Sequence, residues 1–338
     1  MFYVENDQYD RQSTEFRMQS SDDSGFRWIL GVFIEDQELA YSTTYNMPAI
    51  SNTLASVQGR WWKQDNVRED SQKAIFGEAT WPIDDKTDFT VGLRAYKNEA
   101  IFDAKDGYMG YYTDHPILSW AAGRTEKYSK DVSDIAPKIN LAHKFNDDVL
   151  FYATYSEGFR PSGTNRLNKK ARESGIVPAT YDSDTLTNFE VGFKSTLANG
   201  KIVFNGNLHT MNWDDFQSTS YIYDLLTVAF VQNVGQATIT GLELESYFNI
   251  SDSFNASLML ALTNPEFKED IYDLQGVLST PKGNQLAYVP TQQFVMSMNK
   301  DFVIRNRDAY VSYDHSYTGE SYQSSANTDT NASYSLAN

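Results

Sequence analysis

Four histidines, His115, His143, His209 and His315, are the side chains best suited to move a proton or hold a metal, and they are scattered over separate segments. None stands near a serine, a carboxylate or a second histidine at a spacing that makes a nucleophile–base pair or a metal-ligand set. Cysteine is absent, which removes thiolate ligands, cysteine nucleophiles and disulfides together. Paired carboxylates at Asp22-Asp23, Asp84-Asp85, Asp147-Asp148 and Asp214-Asp215 invite a calcium or glycosidase reading. The first three pairs, however, lie in short polar clusters where aspartate shapes a tight turn. The chain therefore reads as a non-enzyme that needs no cofactor and no metal. Arg160, Asn165 and Arg166 remain: they leave an apolar segment together, and arginine grips carboxylate or phosphate-like groups in bidentate fashion. A structural clamp onto neighbouring segments is an equally good account of them. Trp61, Trp62, Tyr111, Tyr112, Trp120 and Tyr221 could stack on a sugar or an aromatic ligand, or simply fold their loops down.

The elements that must position these groups are strands. Between Lys201 and Trp213, Ile202, Phe204, Gly206 and Leu208 share one face, and Asn205, Asn207 and His209 share the other. Phe89, Val91, Leu93 and Ala95 oppose Thr90, Gly92, Arg94 and Tyr96 in the same way, and Phe189, Val191 and Phe193 oppose Glu190 and Lys194. Period-two alternation sends one set of side chains to each face of a sheet. Twelve such strands are expected, near 13–20, 26–35, 72–82, 87–98, 132–145, 149–158, 184–197, 201–213, 236–248, 253–262, 291–300 and 308–317, with a partial thirteenth from Ser333. Most are about nine to thirteen residues, the length a tilted strand needs to cross a bilayer.

Short and long connections alternate between them. Asp22–Gly25, Asp84–Lys86, Asn146–Asp148, Leu197–Gly200, Asn249–Ser253 and the slightly longer Asp301–Arg307 read as turns, while 36–71, 98–131, 159–183, 214–235 and 264–290 read as long polar loops. Membrane barrels place all short turns on one side and all long loops on the other. The residue counts agree: 22 Tyr, 20 Phe and 6 Trp accompany a polar average, as expected when lipid-facing and lumen-facing residues alternate, and no apolar run is long enough for a helical span. A formal net charge of −17 argues against a nucleic-acid partner. The fold class expected is all-β, an antiparallel up-and-down transmembrane β-barrel.

Particular stretches then match a known family. FYATYSEGFRPSGTN at 151–165, NFEVGFKS at 188–195, NVGQATITGLELE at 233–245 and STEFRMQS at 13–20 resemble strand motifs of TonB-dependent outer-membrane receptors. AIFGE at 74–78, PKINL at 137–141 and GNQL at 283–286 are further matches, and all seven come in family order. The resemblance implies a barrel of about 22 strands closed inside by an N-terminal plug. It also implies the Gram-negative outer membrane with its lipid as a partner, and energised uptake of a scarce solute, an iron–siderophore complex before a vitamin or oligosaccharide, coupled to the TonB complex through the plug. Against that plan, residues 1–338 read as a partial barrel: no signal peptide or plug opens it, and closing strands are lacking. Arg160, Asn165, Arg166, Glu190, Lys194, Arg94 and Tyr96 are then the expected ligand or plug contacts. A passive porin-type channel is the alternative, ahead of a barrel enzyme or adhesin.

Overall fold

The computed structural model describes residues 2–21, 25–46, 59–108, 124–165, 174–222 and 228–338. In chain order its strands are β1 (Phe2–Gln19), β2 (Arg27–Asn46), β3 (Arg60–Asp84), β4 (Thr87–Tyr108), β5 (Arg124–Asn146), β6 (Val149–Arg160), β7 (Gly163–Thr164), β8 (Thr180–Tyr181), β9 (Asp184–Leu197), β10 (Ile202–Asp214) and β11 (Gln217–Ile222). They continue with β12 (Val228–Asn233), β13 (Ala237–Ser251), β14 (Phe254–Phe267), β15 (Ile271–Tyr272), β16 (Leu278–Thr280), β17 (Gln292–Ile304), β18 (Arg307–Thr318), β19 (Ser321–Tyr322), β20 (Thr330–Asn331) and β21 (Tyr334–Ala337). Thirteen of these form one antiparallel sheet, in the order β1-β2-β3-β4-β5-β6-β9-β10-β13-β14-β17-β18-β21. The remaining eight pair as small hairpins within the long connections, β7 with β8, β11 with β12, β15 with β16 and β19 with β20. The sheet is the open wall of an up-and-down transmembrane barrel, with β1 and β21 at its two ends.

The alternation seen in the sequence becomes two continuous faces. Register carries Val91 to Ile139, Ile139 to Tyr155 and Tyr155 to Phe189, and further along Val191 to Leu208, Leu242 and Leu262. These rows make an unbroken apolar band for lipid. Opposite it lie Arg94, Glu190, Lys194, Asn207 and Glu243, on the lumen face. Aromatic rings gather at the short-turn edge of the band, where Phe26 packs on Trp81 and Trp81 on Phe89.

Turn chemistry explains the reversals. In three of them the residue that opens the turn accepts the backbone N–H two residues on: Asp84 from Lys86 at 2.8 Å, Asn146 from Asp148 at 2.9 Å, and the Ser251 hydroxyl from Ser253 at 3.4 Å. A register shift accompanies each, at Pro82/Asp84, Lys144/Asn146 and Asn249/Ser251. The β17–β18 reversal is tighter than the expected seven-residue turn: Arg305 and Asn306 alone make it, both left-handed, with φ of 50° and 60°.

Two expected loops are corrected. Most of 36–71 and 98–131 that the structure describes is strand, so β1 to β5 run 18 to 25 residues instead of nine to thirteen. The reason is a change of phase. On β4, Phe89, Val91 and Leu93 face lipid, but beyond Lys97 the inward residues become apolar: Ala100, Phe102 and Ala104 are buried, while Glu99 and Asp103 are exposed.

Candidate functional site

The lumen wall over β6, β9, β10 and β13 is built in cross-strand rows. One row runs Tyr152, Gly192, Asn207, Glu243; its neighbours run Thr154, Glu190, His209, Gly241 and Leu150, Lys194, Asn205, Glu245. Glycine makes room for rings here. Tyr152 lies over Gly192 and His209 over Gly241, so a methyl group at either glycine would collide with the ring opposite. The Tyr152 hydroxyl donates to Glu190, and the Lys194 ammonium stands 5.9 Å from the same ring. Asn207 donates to Glu243 at 2.9 Å and pairs with the His209 Nδ1 at 3.1 Å. On the β3–β5 side, Lys138 reaches Glu78 at 2.8 Å, and Arg94 donates to Gln72 at 2.8 Å over the rings of Phe33 and Phe76. The charged residues of the wall thus pair with neighbours on it, mostly with neutral amides, hydroxyls and rings. They present carboxylates and amides to the lumen.

At the mouth, the connections after β6 and after β10 are stitched together. The Asp184 carboxylate is 1% exposed and takes the Arg160 guanidinium, the Arg160 N–H at 3.2 Å and the Gln217 N–H at 3.0 Å. Arg160 also donates to the Gln217 carbonyl at 3.0 Å and lies over Trp213 at 4.6 Å and Phe216 at 5.2 Å. Asn165 mimics a strand edge, exchanging two bonds of 2.7 Å with the Val231 backbone and donating to the Pro178 carbonyl at 3.0 Å. Asn233 repeats the device on Asp182, accepting its N–H at 2.8 Å and donating to its carbonyl at 3.0 Å. Phe216 and Trp213 pack on the small core of Val234, Ala237, Phe267 and Leu286, which anchors the stitched loops to the wall. Tyr96, 5% exposed, stacks face to face on Phe159 at 3.5 Å.

Of the residues singled out from sequence, Arg160 and Asn165 meet at this clamp, Tyr96 lies under Phe159, and Arg94, Glu190 and Lys194 are on the wall. Arg166 lies outside the described residues, as do Tyr111, Tyr112, Trp120, His115 and the side chain of Trp61. Tyr221 is 57% exposed. Sequence reasoning passed over Asp184, Gln217, Asn233 and Tyr152. Asp184 was within reach, because antiparallel pairing of the strands ending at Arg160 and opening at Asp184 sets the two side by side. His143 bonds the Thr87 hydroxyl at 2.9 Å, and His315 the Tyr313 hydroxyl at 3.2 Å. Among the described residues, no three His, Asp or Glu are grouped to hold a metal.

The model of the TonB-dependent receptor-like β-barrel matches residues 2–338. The chain belongs to this receptor family. The pesticin receptor of Yersinia enterocolitica is 19% identical over 273 residues, covering 80% of this chain and 35% of that receptor. The structure of the ferric yersiniabactin uptake receptor FyuA from Yersinia pestis superposes with a TM-score of 0.79 at 16% identity, over 99% of this chain and 46% of that one. The siderophore receptor PiuA from Acinetobacter baumannii gives a TM-score of 0.73 at 15% identity, over 98% of this chain and 49% of that one. This receptor chain therefore spans between a third and half of the length of these relatives. At such identities the structural likeness speaks for the barrel fold alone, and these relatives are named as receptors.

Proposed function

We propose that the protein to which this barrel belongs is an outer-membrane receptor that takes up a scarce solute, most simply an iron–siderophore complex, by TonB-coupled transport. The observation that carries this reading is the match of the receptor-barrel family to nearly every residue of the chain, together with a lumen wall of half-exposed acceptors and donors. In this reading the energy-coupling partner acts through a plug domain carried elsewhere in the protein. Arg94, Glu190 and Lys194 contact ligand or plug along the wall. Arg160, Asn165, Arg166 and Tyr96 serve at the mouth, where the first two hold the loop surface in shape. Similarity to proteins named as ferric yersiniabactin and siderophore receptors supports the substrate class.

The test is transport by the full-length protein in an iron-starved, receptor-deficient Gram-negative strain. Radioactive ferric catecholate, hydroxamate and phenolate complexes are offered one at a time. Accumulation of at least one, abolished by a protonophore and by loss of TonB, is the expected result. Accumulation that persists without the energy source establishes a passive channel instead.

A further inference from the structure

Toward the long-connection end of β1 to β4, register sets the inward side chains in rows. One row runs Tyr9, Leu39, Arg68, Phe102, and the next toward the rim runs Asp7, Tyr41, Asn66, Ala104. Glu5 and Thr43 open the row after that. The two sides of this surface differ. At β4 the short strand β7 packs over it, so Phe102 and Ala104 are buried, whereas Glu5 and Asp7 on β1 are exposed. Between the sides lies a cavity of about 230 Å³, lined by Glu5, Asp7, Leu39, Tyr41, Arg68, Phe102 and, from β7, Thr164.

Charge in this cavity is unbalanced. Arg68 is taken by Asp70 at 2.7 Å, and the neighbouring Arg11 by Glu35 at 2.5 Å. Glu5 and Asp7 remain, and neither pairs with a cation among the described residues. Two positions apart on one face of a strand, they stand about 7 Å from each other. A cation between two such carboxylates favours the charged form of both. A separate observation comes from the covered side. Thr164 is 6% exposed, and its hydroxyl has no hydrogen-bond partner among the described residues. A buried polar group left unbonded is costly, and one on the lining of a cavity gains its bond when a ligand enters.

We infer that this cavity is a subsite for a primary alkylammonium arm of the transported solute. The ammonium, with three donors, sits between Glu5 and Asp7 beside the Tyr41 ring. Its methylene stem lies along Leu39 and Phe102, and the polar group that joins the stem to the rest of the solute bonds the Thr164 hydroxyl. At about 30 Å³ per water the cavity has room for about eight waters, enough for an arm. Pockets for a whole small molecule run from about 300 to 1,000 Å³. A carboxylate or catecholate arm would face two carboxylates of its own sign, since Asp70 already holds Arg68. The inference rests on the receptor reading and adds to it the charge of the solute.

The experiment mixes the full-length receptor in detergent with n-pentylammonium or with n-pentanol and reads bound probe by saturation-transfer NMR. The ammonium is expected to give at least about three times the signal of the alcohol, the scale of a half-exposed ion pair. Glu5→Gln with Asp7→Asn brings the two probes level, and Glu5→Asp with Asp7→Glu keeps the preference. Uptake is then compared for a linear ferric trihydroxamate ending in a free ammonium and for its N-acetylated form. The wild type takes up the first faster, and the amide variant does not distinguish them. Equal probe signals, or a preference unchanged in the amide variant, overturns the inference. So does a missing ammonium signal with a lowered unfolding temperature in that variant, which means a cation of the receptor itself fills the cavity. Equal uptake of both chelates without an ammonium preference sinks this inference alone and leaves the receptor reading standing. An ammonium preference with neither chelate taken up keeps the subsite and counts against the siderophore reading.

Discussion

With its carboxylate almost wholly out of solvent, Asp184 satisfies Arg160 and two backbone N–H groups belonging to different connections. Removing it leaves a guanidinium that is partly solvated and can find water, so the loss is smaller than for a fully buried pair. Asp184→Ala is expected to lower the local stability of the clamp by about 2 kcal/mol. Hydrogen exchange should quicken at the amides of Arg160 and Gln217 while the strands below keep their protection. Gly192→Ala tests the ring-over-glycine packing: the new methyl displaces Tyr152 from Glu190 and costs about 1–3 kcal/mol of overpacking, read as a lowered unfolding temperature. At the opposite rim, the Asp84 carboxyl is held below its ordinary range first by the Lys86 N–H and next by the Thr87 hydroxyl. A depressed folded pKa stabilises above the unfolded pKa and fades as pH falls through the lower folded value. Exchange at the Lys86 and Thr87 amides should therefore rise only in strong acid, and Asp84→Asn should remove that rise.

Individual strands show what one face tolerates and the other does not. Leu208 and Asn207 are adjacent on β10, one facing lipid and one facing the lumen row. Leu208→Arg is expected to destabilise folding into vesicles by about 2–4 kcal/mol near mid-bilayer, whereas Asn207→Arg should fold nearly normally. The Arg305-Asn306 reversal asks two L-residues to adopt positive φ. Changing the pair to Asn-Gly should stabilise the β17–β18 hairpin by about 1 kcal/mol, seen as slower unfolding. These strands and reversals were legible because one face must be apolar across the bilayer and because Asp, Asn and Ser serve backbone N–H groups in turns. The upper halves of β2 to β5 were not, since beyond Lys97 the apolar phase swaps faces and the contrast with solvent-facing residues reads as loop. The hairpins β7–β8 and β15–β16 contribute strands of two or three residues, too short to carry a period. Asn165 and Asn233 act on backbone far along the chain, a role that composition does not encode.

The whole sheet ends in two strand edges, at β1 and β21. Lipid offers no partner to unpaired backbone groups, and each one left in hydrocarbon is costly. A polypeptide of these 338 residues alone should give aggregates or multimers in vesicles rather than a monodisperse inserted species, as sedimentation in detergent would show. Uniform monomers would mean that the edges find each other or are otherwise closed.

Every neighbour of a strand in the wall is also its neighbour along the chain, once the small loop hairpins are set aside. The covalent link across a long connection is thus redundant with the hydrogen-bond ladder beside it. A protease admitted from the long-connection side could sever the polypeptide between β14 and β17, or between β10 and β13, and the halves would stay zipped along strands it cannot reach. Such a nicked receptor would migrate as one body until boiled and only then fall into two pieces. The same property lets the two pieces be made as separate chains and meet in the membrane.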